Sequence, residues 1–110
     1  MPDFEIVQYL DRGGKSPFKE WIMFLDSSVQ ARVLARVERF SAGNFGMGRH
    51  LGGGLYEAKL NFGAGYRIYY GVHGAMLVIL LSGGDKSRQK NDIGRARGYW
   101  KSFLEDGHEK

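Results

Sequence analysis

The sequence contains no cysteine, which excludes disulfide bonds, a thiolate metal site and a cysteine nucleophile and fits a reducing cytoplasm. It has no apolar run of about 18 residues, so no membrane-spanning helix is predicted. His50, His73 and His108 fall in separate segments without metal-ligand spacing, and no glycine-rich segment matches a phosphate-binding loop. Met1-Pro2-Asp3 does not resemble the start of a signal peptide. We therefore expect a cytoplasmic protein that uses no metal ion or other cofactor.

The chain is basic, with a net charge of +4 over 110 residues, and the excess charge is concentrated in one region. Residues 59–101 contain eight lysines and arginines but two acidic residues, so their net charge is +6 and the rest of the chain sums to −2. Clustered positive charge on a small protein favours nucleic acid as a partner, although many globular proteins are mildly basic without such a role. At this length, residues 1–110 are expected to form a single domain.

The middle of the chain reads as three consecutive antiparallel strands joined by short turns that contain glycine. The predicted strands are Leu55 to Phe62, Tyr66 to Val72 and Met76 to Leu81. The third has no polar alternation, which is typical of a central strand buried on both faces. It ends at two glycines, after which Asp85 or Ser87 can cap a helix.

Side chains alternate between the faces of a strand, so Glu57, Lys59, Arg67 and Tyr69 are predicted to share the face opposite the apolar one. Lys86 follows the third strand and is expected beside them. Two interpretations stay open at this point. The cations are either ordinary solvated charges on the wet face of the sheet, or a concave basic and aromatic surface for a polyanion.

The remaining segments complete an α+β pattern. Residues 4–10 alternate as a first strand, and Ser16-Pro17 begins a helix with serine as N-cap and proline at the first helical position. A second helix is predicted from about Val29 to Phe40 and a third from about Ser87 to Glu105. The order β-α-α-β-β-β-α predicts a small, mostly antiparallel sheet with the helices packed on one face. The first strand is expected beside the last, because it has no hairpin partner.

Three further segments are interpreted without a functional role. Arg32, Arg36 and Arg39 form a stripe on the second helix, which we interpret as a solvated helix face. Residues 43–54 are rich in glycine and are predicted to form a mobile loop. The polar tail, residues 106–110, is predicted to fray.

A cluster of lysine, arginine and tyrosine can act on an RNA phosphodiester, because RNA supplies its own nucleophile, the 2′-hydroxyl. Cleavage requires removal of the hydroxyl proton, neutralisation of the charged phosphate and protonation of the leaving oxygen. Neighbouring cations favour the neutral amine of a lysine, which can then act as a base. An arginine can hold the phosphate with two hydrogen bonds, and a tyrosine can stack on a base.

The order of several short motifs carries a family resemblance. GLYEAKL at 54–60, GYRIYY at 65–70 and LSGGDK at 81–86 are followed by Gln89, Ile93, Ala96 and Trp100. In this combination the chain resembles the addiction-module killer proteins, a HigB-like branch of the RelE/ParE toxin superfamily. The resemblance covers nearly the whole chain and implies the RelE-like fold.

The resemblance also implies a function. It implies the toxin of a bacterial or phage type II toxin–antitoxin module, neutralised by a helix-turn-helix antitoxin, that cuts mRNA in the ribosomal A site as an endoribonuclease and so inhibits translation. By motif position it implies catalytic roles for Lys59, Arg67 and Lys86. The expected RNA-binding residues are Glu57, Tyr69, Arg88 and Lys90. ParE-like members of the superfamily poison gyrase instead, and a non-enzymatic module that binds antitoxin or RNA is a third possibility.

Overall fold

The structure is a computed structural model that describes residues 3–106; Met1, Pro2 and the predicted tail beyond Asp106, with His108, lie outside the described residues. Its elements in chain order are β1 (Glu5–Gln8), α1 (Pro17–Met23), α2 (Ser27–Phe40), β2 (Gly48–Gly52), β3 (Leu55–Lys59), β4 (Arg67–His73), β5 (Leu77–Gly84), a 3₁₀ turn (Lys86–Arg88) and α3 (Gln89–Asp106).

The sheet has five strands in the order β1-β5-β4-β3-β2. β1 runs parallel to β5, and every other neighbouring pair is antiparallel. The α+β class, the mostly antiparallel sheet and the position of the first strand beside the last are therefore confirmed. β5 lies inside the sheet, and the run from Val78 to Ser82 is buried throughout.

The helices pack on both faces of the sheet, which corrects the expectation that they share one face. α1 and α2 cover Ala58, Leu60, Ile68, Tyr70, Val78 and Leu80. α3 covers the alternate residues of the same strands, including Leu55, Tyr69, Ile79 and Leu81. A strand that is apolar on both sides needs cover on both sides, and the stripe of Ala96, Trp100 and Phe103 on α3 supplies the second layer.

Each helical layer places one tryptophan directly on a glycine of the sheet. Trp21 of α1 lies against Gly83, and Trp100 of α3 lies against Gly71, in the space that a β-carbon would occupy. The Trp100 indole also donates a hydrogen bond of 2.8 Å to the carbonyl of Gly53 in the β2–β3 turn. A side chain at either glycine would push its helix off the sheet.

The predicted mobile loop at 43–54 is wrong in its second half, because Gly48–Gly52 forms the edge strand β2 and pairs with β3. At Gly48 a β-carbon would collide with the carbonyl oxygen of Glu57, so the close approach of the two strands requires glycine. Gly53 and Gly54 have φ of +61° and +88° and form the turn into β3.

The ends of the helices follow the sequence closely. Ser16 caps α1 by accepting a hydrogen bond of 3.0 Å from the amide of Lys19, with Pro17 at the first helical position, as predicted. The third helix begins with a 3₁₀ turn capped by Asp85, also as predicted.

Within residues 3–106, no helix is both long enough and apolar enough to cross a membrane.

Candidate functional site

An open cleft of about 520 Å³ lies at one end of the sheet, where β3 ends, β4 begins and the chain leaves β5. Lys59, Arg67 and Lys86 all line it, together with the β3–β4 turn. Lys59 and Arg67 are direct partners in the β3–β4 register, so their side chains leave the sheet on the same face. The shared face is thus confirmed and the three cations meet in one cleft, while their catalytic roles stay predictions.

Lys86 is fixed beside the β3–β4 turn by its backbone. Its amide donates a hydrogen bond of 3.2 Å to the carbonyl of Ala64. Gly65 has a φ of +75°, and a β-carbon there would lie 3.2 Å from Lys86 and 3.3 Å from the Arg67 guanidinium. Glycine at this position therefore lets the two cations approach the same piece of backbone.

Asp85 orders the segment that carries Lys86. Its carboxylate accepts hydrogen bonds of 2.6 Å from the Ser87 hydroxyl and 2.9 Å from the Ser87 amide. The hydroxyl contact is the main reason why the pKa of Asp85 lies below its usual range. The ionised carboxylate is thus the form that caps the 3₁₀ turn.

Arg67 forms the floor of the cleft and is 6% exposed. Its Nη1 donates a short hydrogen bond of 2.6 Å to the carbonyl of Gly65, and its Nε lies 3.8 Å from Oε2 of Glu57. Nε has no hydrogen-bond partner within 3.5 Å. The guanidinium is therefore held by the carbonyl of Gly65 and lies close to the carboxylate of Glu57.

Glu57 is 4% exposed and accepts hydrogen bonds from side chains of three other elements. Its donors are Nε of Arg49 on β2 at 3.0 Å, the hydroxyl of Tyr69 on β4 at 3.1 Å and Nε2 of Gln89 on α3 at 2.9 Å. A buried carboxylate is stable only when it is paired and hydrogen-bonded, and this one is both. Glu57 thus connects two strands and a helix beside Arg67, and its RNA-binding role stays a prediction.

Tyr69 is 0% exposed, so it has no surface on which a base could stack. Burial, and next the adjacent Glu57 carboxylate, raise the pKa of Tyr69 well above its usual value, so its hydroxyl remains a donor. In this structure Tyr69 offers no stacking surface, and its RNA-binding role stays a prediction. α3 covers the part of the face that contains Tyr69, so this part is not a solvated sheet face.

Three buried polar atoms in residues 3–106 lack a hydrogen bond, and all belong to this face of the sheet. They are Nε of Arg67, the hydroxyl of Ser82 and Oδ2 of Asp92. Ser82 is the register partner of Tyr69, and the Asp92 carboxylate lies against Gly84, the partner of Arg67. Burial raises the pKa of Asp92. Unpaired buried polar atoms are uncommon, and each calls for an explanation such as a bound water or a catalytic role.

Arg88 and Lys90 are exposed on the 3₁₀ turn and the first turn of α3. Neither is among the residues that line the cleft. Their RNA-binding role stays a prediction.

Sequence reasoning missed two members of the arrangement, Arg49 and Gln89. Arg49 is the register partner of Glu57, which would have been apparent had residues 48–52 been assigned to a strand. Gln89 belongs to the motif region, but its contact depends on α3 folding across the polar face. Within residues 3–106, no group of three or more histidine, cysteine, aspartate or glutamate side chains is placed to hold a metal ion.

Comparison with known proteins adds a family to this geometry. A sequence model described as "Phage derived protein Gp49-like (DUF891)" matches residues 20–96, from α1 into α3. An uncharacterized protein of Haemophilus influenzae is 40% identical over 81 residues, which cover 73% of this chain and 82% of that protein. The span matched by the family model contains every residue of the cleft and Glu57 with its partners.

Proposed function

The chain belongs to the Gp49-like family of phage-derived proteins, which is related to RelE-like toxins of toxin–antitoxin systems, and from this we propose that it is the toxin of a type II module that cuts mRNA on the ribosome. The observation that carries the proposal is the cleft in which Lys59, Arg67 and Lys86 meet. Among the described residues that line the cleft, none is acidic. A polyanion is the ligand that such a surface attracts.

The positions of the three cations suggest a separate catalytic role for each. Lys59 ends β3, Arg67 begins the neighbouring strand β4, and Lys86 lies in the turn that follows β5. Arg67 on the floor is suited to hold the scissile phosphate, and its contacts with Gly65 and Glu57 fix it before substrate arrives. Lys59 and Lys86 are both exposed and line the same cleft, so either can serve as base or acid.

The reaction that fits these groups is an internal transfer of the phosphate. One lysine takes the proton of the 2′-hydroxyl, and the resulting oxygen forms a bond to phosphorus. The bond from phosphorus to the 5′-oxygen breaks, and the second lysine gives that oxygen a proton. The products are a 2′,3′-cyclic phosphate and a free 5′-hydroxyl, and Arg67 neutralises the charge that develops on phosphorus.

A toxin of this kind needs a partner that holds it inactive. The partner expected from the family relationship is a cognate helix-turn-helix antitoxin made from the same operon. The remaining macromolecular partners in the proposal are the ribosome and its bound mRNA.

The test is to express the protein in bacteria and to map new RNA ends by sequencing and by toe-printing on translating ribosomes. We expect growth arrest and cuts at A-site codons. Arg67→Ala should lower the cleavage rate by about 100-fold or more, as loss of a transition-state cation does. Lys101→Ala is the matched control, because it removes one cation from α3 beside the β2–β3 turn, away from the cleft.

Two outcomes would contradict the nuclease assignment. Intact mRNA together with DNA cleavage complexes would identify a ParE-like gyrase inhibitor. Absence of any growth defect, with RNA or antitoxin binding retained, would identify a non-enzymatic binding module.

A further inference from the structure

The arginine stripe of α2 is not a free solvated face, because two of its members contact residues that line the cleft. The guanidinium carbon of Arg32 lies 3.9 Å from the centre of the Phe62 ring. Nη1 of Arg36 donates a hydrogen bond of 3.4 Å to the carbonyl of Lys59. Phe62 and Lys59 both line the cleft, so α2 extends its positive surface beyond the three strand-borne cations.

The contact between Arg32 and Phe62 presents a flat surface to solvent. A guanidinium above an aromatic ring is held by cation–π attraction, and Arg32 nevertheless remains exposed. An arginine plane supported in this way can stack on a nucleic-acid base with its outer side. The Phe62 ring already restricts the Arg32 side chain, so less conformational entropy is lost when a base binds.

Arg36 contributes charge close to that plane. It lies one helical turn after Arg32, and its hydrogen bond to the end of β3 holds it near Lys59. Glu38, an acidic residue of the same helix, lines a different groove with Ile6 and Leu34 and forms no ion pair with Arg32 or Arg36 among the described residues. The α2 side of the cleft therefore combines a planar group on which a base can stack, Arg32, with a nearby cation that can bind a phosphate, Arg36.

We propose that Arg32, Phe62 and Arg36 form a nucleotide subsite for single-stranded RNA next to the cleft, with the base stacked on Arg32 and a neighbouring phosphate bound by Arg36. This subsite rests on the proposed function, because it binds a nucleotide beside the scissile one. A stretch of acidic protein would need the positive charge but not the plane. The plane is thus the feature that favours RNA.

The experiment measures binding of the full chain to a short single-stranded oligoribonucleotide and to an abasic oligomer of the same length. Arg32→Lys keeps the charge and removes the plane, so it should weaken binding of the oligoribonucleotide about ten-fold and leave the abasic oligomer unchanged. Arg36→Gln should weaken both and reduce the slope of log affinity against log salt by about 0.7, the value for one phosphate contact on a single strand. Lys101→Gln serves as the control and should change neither affinity by more than a small factor.

Unchanged oligoribonucleotide affinity in Arg32→Lys would overturn the subsite. Equal losses for the abasic oligomer in Arg32→Lys would also overturn it, because they would show that Arg32 contacts the sugar-phosphate backbone and not a base. Cleavage on ribosomes is measured in parallel so that the two proposals fail separately. If the wild-type protein cuts no mRNA but Arg32→Lys still weakens binding of the oligoribonucleotide, the nuclease proposal is wrong and the subsite is supported. If the wild-type protein cuts mRNA and Arg32→Lys has no effect on binding, only the subsite is overturned.

Discussion

The two faces of the sheet are built from alternate residues of the same strands, yet they bury different chemistry. The face under α1 and α2 buries apolar and aromatic side chains. The face under α3 is apolar near Trp100 but polar near the cleft, where Glu57, Arg67 and Tyr69 are buried together. Strand alternation thus separates a face that stabilises the fold from one that positions candidate catalytic groups, and a register slip of one residue would exchange them.

The largest expected effect comes from breaking the polar face at Glu57. Glu57→Gln removes the charge that faces Arg67 and leaves a buried cation without compensation, which should lower the free energy of unfolding by about 3–5 kcal/mol. Urea unfolding measures this, and mRNA cleavage should fall even under conditions where the variant is fully folded. Tyr69→Phe is the matched control, since it removes one donor to Glu57 and should cost about 1 kcal/mol. A folded Glu57→Gln variant that cuts mRNA at the native rate would refute the separation of roles.

A substitution on the apolar face should alter stability alone. Leu80→Ala opens a cavity beneath α1 and α2 on the central strand and should lower the free energy of unfolding by about 2–5 kcal/mol. Below its melting temperature, the cleavage rate per folded molecule should equal that of the native protein, as measured by circular dichroism and RNA-end mapping on the same sample. A specific loss of cleavage in the folded variant would show that the apolar face also shapes the cleft.

The smallest effect is expected at Asp85, which caps the turn that carries Lys86. Asp85→Ala should lower the free energy of unfolding by about 1 kcal/mol at neutral pH. The pKa of Asp85 is lowered in the folded protein, so its contribution is present above the ordinary value of 3.8 and is lost as pH falls through the folded pKa. Urea unfolding at neutral pH and in acid should therefore show a difference between native and variant that disappears in acid. Asp85→Ser keeps a capping oxygen without the charge, and a persistent acid dependence in that variant would assign it to another group.

Much of the fold could be predicted because the signals are local. The Ser16-Pro17 helix start, the cap at Asp85 and the three-strand run in the middle of the chain each depend on a few neighbouring residues. Strand β2 could not be predicted in this way. Its sequence, GRHLG, has little strand propensity, and it becomes a strand by pairing with β3 along the edge of the sheet.

The second helical layer was missed although the sequence contained evidence for it. A strand predicted to be buried on both faces requires a layer on each face, and the apolar stripe of α3 was available. The burial of Glu57, Arg67 and Tyr69 was harder to predict, because polar side chains on alternate positions usually indicate a solvated face. Their burial depends on contacts between residues distant in sequence, such as Gln89 with Glu57, that neither composition nor periodicity encodes.

The two indoles of the chain lie on opposite sides of the sheet, Trp21 in the layer of α1 and Trp100 in that of α3. Indole fluorescence shifts to longer wavelength when the ring becomes exposed to water. A variant that retains only Trp21 or only Trp100 therefore reports on one helical layer alone. The protein thus contains its own pair of optical probes for asking whether α3 can leave the sheet while the opposite layer stays folded.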